Sequence, residues 1–62
     1  MNKLSIRFTL DKMMLNESKE FQAKVYESVE QLLSIVRVEE LSYETLSLII
    51  MLGKVNEKQL QH

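Results

Sequence analysis

The chain has 62 residues, a net charge of -1, no cysteine, no proline, one glycine and one histidine. Chains of this length bury roughly 60% of their unfolded surface and stay marginal without a staple. The missing thiols exclude a disulfide framework and a thiolate zinc site, while 45% hydrophobic and 27% charged residues give a globular composition, so the staple that remains is another chain.

The charge is unevenly spread. The first twelve residues carry +2, residues 13 to 44 carry -4, and residues 45 to 62 carry +1. This balance gives no whole-protein attraction to nucleic acid, although a local one through the basic first segment stays open. There is no run of about eighteen apolar residues and no signal-peptide pattern, so a cytoplasmic setting is expected. Without a secretory signal, the glycosylation pattern at Asn16-Glu17-Ser18 reads as coincidence.

Residues 3 to 11 alternate. Leu4, Ile6, Phe8 and Leu10 point one way, and Lys3, Ser5, Arg7, Thr9 and Asp11 the other. A two-residue period predicts a half-buried strand, whose unpaired N–H and C=O groups need a second strand, expected from another subunit. Next come Met13, Met14 and Leu15, which either tuck under the following helix or offer an adaptable apolar contact to a partner.

From residue 17 to residue 37 the pattern is helical, with Asn16 or Ser18 as the N-cap. Phe21, Val25, Val29, Leu32, Leu33 and Val36 share one half of the wheel; Lys24, Glu27, Glu30 and Gln31 occupy the other. Extending that wheel puts Leu41, Leu48 and Leu52 on its back, which predicts a break across Val38 to Leu41. Ser42 then caps a new helix, with Leu41 and Leu46 as its hydrophobic staple. The β-branched run Ile35 to Glu39 also reads as a short strand.

The second helix is expected over residues 43 to 52, closed by Gly53 in the left-handed conformation, with a frayed tail over 54 to 62 in which Asn56 to Gln59 forms a capping box. Its apolar residues form two clusters, Leu48/Ile49/Leu52 and Tyr43/Leu46/Ile50, one for the chain's own core and one for a neighbour. The expected fold is therefore mainly α in a single small domain, an N-terminal strand followed by two antiparallel helices.

The chemical inventory is thin. His62 is the last residue, Asp11 is the only aspartate, and Glu39, Glu40 and Glu44 are helix-end glutamates of the kind solvent ordinarily covers. No Gly-rich phosphate loop or nucleophile elbow occurs. The chain is expected to be no enzyme and to need no cofactor, metal or small-molecule substrate.

Two resemblances bear on nucleic acid. The element order, with Lys3, Ser5, Arg7 and Thr9 on the exposed strand face, resembles the ribbon-helix-helix DNA-binding family; the resemblance implies a two-chain ribbon in the major groove, with those four residues as DNA contacts. Glu40 to Leu60 resembles the start of a winged-helix motif, GKVNEKQL being the turn and second helix; the recognition helix would then lie beyond His62.

The leading expectation is a non-enzymatic regulatory or adaptor protein of inhibitor or modulator type, a homodimer that binds another protein. Leu4, Ile6, Phe8, Tyr43, Leu46, Ile49 and Ile50 are the candidate interface, with Met13, Met14 and Leu15 as a further partner contact. The ribbon-type DNA-binding regulator is the alternative.

Overall fold

The computed structural model describes residues 2 to 60, with side chains through residue 58. Three helices follow one another: α1 (Lys3–Met13), α2 (Lys19–Leu33) and α3 (Tyr43–Leu60), with a 3-10 turn at Val38–Glu40 between the last two. Among the described residues there is no strand.

The expected strand over residues 3 to 11 is therefore corrected to a helix. Alternation over seven residues is also two i,i+4 pairs. On a helix, Leu4/Phe8 and Ile6/Leu10 form two ridges on nearly opposite sides. The structure buries the second ridge, Ile6 and Leu10 being 3% and 1% exposed, and leaves the first bare, Leu4 and Phe8 being 83% and 61% exposed. Asn2 starts the helix: its side-chain oxygen accepts the Ser5 N–H at 2.8 Å. A strand would have lacked a partner within the chain, because Ile35 to Glu39, the other β-branched run, is turn and 3-10 helix. Strand pairing between subunits falls with the strand.

α2 is shorter than the expected span of residues 17 to 37. It is capped by Ser18, not Asn16, and Ser18 Oγ accepts the Phe21 N–H at 3.1 Å. At the other end, the Ile35 and Val36 N–H groups both turn back to the Leu32 carbonyl, which tightens the last turn and closes the helix before the β-branched run. Ser18→Ala should lower stability by about 1 kcal/mol. Urea melts should show an earlier midpoint with an unchanged slope, and Ser18→Asp should restore it.

The link between α1 and α2 is tied down by one side chain. Gln22 Nε2 donates to the carbonyls of Met14 and Glu17, at 2.8 and 3.1 Å. Met14 is fully buried, and its carbonyl also accepts the Glu17 N–H at 3.0 Å, so the Gln22 amide fills the second acceptor position of a carbonyl that closes the turn.

α3 packs against both other helices. Ser42 Oγ accepts the Thr45 N–H at 3.2 Å, and Leu41 and Leu46 on either side of this cap are both buried, the geometry of a hydrophobic staple. The helix does not stop at residue 52. It runs through Gly53, whose φ is not positive, so neither the left-handed cap, nor the new start at Asn56, nor a frayed tail from residue 54 is present; residues 61 and 62, with His62, lie outside the described residues.

Gly53 has a different task. A Cβ built there would sit 3.3 and 3.4 Å from the Phe21 ring, so the missing side chain lets α3 approach α2 closely. The contact Phe21–Gly53 and the ion pair Glu17–Lys54 set the start of α2 beside the second half of α3, and the two helices run in opposite directions. The core between the three helices is Ile6, Leu10, Met14, Phe21, Val25, Val29, Leu41, Leu46 and Ile50.

Candidate functional site

Once the core is filled, the apolar residues left outside are informative. Along α3, Leu48, Met51, Leu52 and Val55 are between 45% and 57% exposed. Their spacing, i, i+3, i+4 and i+7, gathers them into an arc of about 100° on one side of the helix. Leu46 and Ile50 face the other way, into the core. A helix normally presents one apolar stripe; α3 presents two.

The stripe borders a groove of about 490 Å³ between α2 and α3. Phe21, Val25, Ile49 and Leu52 form its apolar lining, and Lys24 and Glu57 lie among its polar lining. Gly53 lies in its wall and adds no side chain to it. Lys54 is paired with Glu17 in the link just before α2, a partly exposed pair worth about 1 kcal/mol at most.

The sequence-derived interface residues are divided by the fold. Leu46 is fully buried, Ile6 and Ile50 are in the same core, and Ile49 is partly buried against it, so these four are engaged within the chain. Leu4, Phe8 and Tyr43 are exposed, with Phe8 and Tyr43 lining one shallow groove that also takes in Met13. Of the partner-contact group, Met14 is buried, Met13 is partly buried, and Leu15 is 76% exposed. The inward cluster of α3 is Leu46 and Ile50, and the outward one holds Leu48 and Leu52.

Two members of the outward stripe fall outside both clusters expected from the sequence. Val55 lies beyond a helix that ends at Gly53, and on a ten-residue wheel Met51 falls between Glu44 and Ser47. The signal was the seven-residue interval from Leu48 to Val55, visible only if the helix continues through the glycine.

The candidate DNA contacts are also redistributed. Lys3, Ser5, Arg7 and Thr9 lie on α1, and the Arg7 guanidinium stacks over the Tyr26 ring of α2 at 4.9 Å, a contact that helps hold two helices together. Lys12 similarly covers the Phe8 ring at 4.6 Å. With residues 3 to 11 helical, the ribbon has no carrier among the described residues. The winged-helix resemblance loses its turn in the same way, since GKVNEKQL lies within α3.

Glu39, Glu40 and Glu44 are exposed, and no group of three or more metal-ligating side chains converges among the described residues. No buried side-chain nitrogen or oxygen lacks a hydrogen-bond partner among the described residues. No helix there is long and apolar enough to cross a membrane. Comparison of the chain with protein-family models, with curated proteins and with solved structures gives no match in any of the three.

Proposed function

We propose that this chain is a non-enzymatic interaction protein, of inhibitor or modulator type, whose working surface is the outward stripe of α3. The observation that carries the reading is Leu48, Met51, Leu52 and Val55, four large apolar side chains about half exposed on one face of one helix. Single exposed apolar residues need no explanation, but a stripe at helical spacing is the pattern of helix-to-helix recognition.

The test is capture from native lysate of the chain's source by the immobilised chain, with and without nuclease, alongside the double variant Leu48→Asp/Val55→Asp. Both positions are solvent-facing, so the variant should keep its helical circular dichroism. The expected result is bound protein that survives nuclease and is lost with the variant. Capture equal for both chains, or bound material that vanishes with nuclease, would refute the reading.

A further inference from the structure

The order of residues along the outward face of α3 is nearly the same read in either direction, with the charges exchanged. Glu44 stands in the first turn and Lys58 in the last, and Leu48, Met51, Leu52 and Val55 lie between them. The midpoint of Leu48 and Val55 falls between Met51 and Leu52, and that of Glu44 and Lys58 falls on Met51. We propose that the occupant of this stripe is the same stripe of a second copy, paired antiparallel about a two-fold axis near Met51 and Leu52.

The reasons are geometric and electrostatic. A two-fold interface is self-complementary, so each residue must meet its mirror position along the helix. About this centre Leu48 meets the partner's Val55 and Met51 and Leu52 meet each other, while Glu44, whose mirror position is residue 59, lies one residue from register with the partner's Lys58, twice over. Antiparallel pairing also sets the helix dipoles head to tail. Parallel pairing would instead set Glu44 against Glu44 and Lys58 against Lys58. A foreign helix would fit the apolar stripe equally well, but nothing about it would call for the reversed charge order. Glu44 and Lys58 each suit the dipole of their own helix as well, so the test must read association, not stability alone.

From Glu44 to Lys58 the pairing spans about 21 Å of helix. One helix pair of that length covers less than the roughly 1,200 Å² of a stable interface, so association weaker than about 1 μM is expected.

The proposal rests on the stripe being a contact surface, and its test is chosen to fail separately. Sedimentation equilibrium up to about 1 mM should show a monomer–dimer equilibrium. Glu44→Lys or Lys58→Glu alone should weaken it about tenfold, as two attractions become repulsions, and the double exchange should restore it. Because the chain has no cysteine, Met51→Cys should form a disulfide with its own copy under mild oxidation, whereas Leu48→Cys alone should not. This second arm stands even if the charge-exchanged chain folds poorly. A chain that stays monomeric throughout, a dimer indifferent to the charge exchange, or equal cross-linking at residues 48 and 51 would overturn the pairing. A monomeric chain that nevertheless loses another captured protein on Leu48→Asp/Val55→Asp would overturn the self-pairing and leave the stripe a contact surface.

Discussion

Leu46→Asp should abolish the cooperative thermal transition, while Leu48→Asp, two residues away on the same helix, should leave it within about 0.5 kcal/mol of the parent. Leu46 is fully enclosed by the core, and Leu48 is 53% exposed. Truncation of a buried leucine to alanine alone costs about 2–5 kcal/mol, and a buried carboxylate with no cation beside it costs more. A chain of this size holds only about 3–9 kcal/mol of stability in all. Leu46→Asp therefore exceeds what the fold can lose. Circular dichroism against temperature and urea reads both variants, and a Leu46→Asp chain that still melts cooperatively would mean that α3 has been turned the wrong way round.

The second large effect concerns the one glycine. In a helix interior, glycine is worth about 1 kcal/mol less than alanine, so Gly53→Ala gains propensity while its Cβ meets the Phe21 ring at 3.3 Å. The ring borders the groove between α2 and α3 and can give by a few tenths of an ångström, so the alanine variant should be as stable as the parent or up to about 1 kcal/mol better. Gly53→Val should behave otherwise. Its two methyl groups branch at Cβ and cannot both turn away from the ring, which forces the helices apart at a cost of about 1–3 kcal/mol. Equal stability of the alanine and valine variants would remove the close approach as the reason for the glycine.

Much of the helical half of the fold was written in local chemistry. The phase shift between Val36 and Leu48, the cap at Ser42 and the staple Leu41/Leu46 are short-range signals, and they placed the start of α3 at the right residue. The errors have a common form: a local rule with two solutions, decided by packing. Leu4, Ile6, Phe8 and Leu10 satisfy both a two-residue and a four-residue period, and the choice falls to helix because Ile6 and Leu10 find a core while the described residues offer no strand partner. Gly53 satisfies both a helix stop and a close helix crossing, and the choice depends on Phe21, thirty-two positions earlier, which no local pattern reveals. The structure sets Leu46 and Ile50 in the core, a direction that the sequence leaves open for the same reason. Two apolar clusters on one helix are legible, but which of them turns inward depends on where α1 docks, and the two-residue alternation of α1 reads locally as a strand.

The way the helices are joined also dictates an order of assembly. α2 and α3 are linked by only nine residues, Ser34 to Ser42, and bring Phe21 to Gly53 as they close. α1 packs chiefly on α3, the element farthest from it in sequence. Closing that larger loop costs more chain entropy, and it repays only after α3 has a surface to offer. The α2–α3 pair should therefore form first and α1 dock last. In native-state hydrogen exchange, the amides of α1 should open at lower free energy than those around Val25, Leu46 and Ile50, as a separate unit that detaches while the rest stays closed.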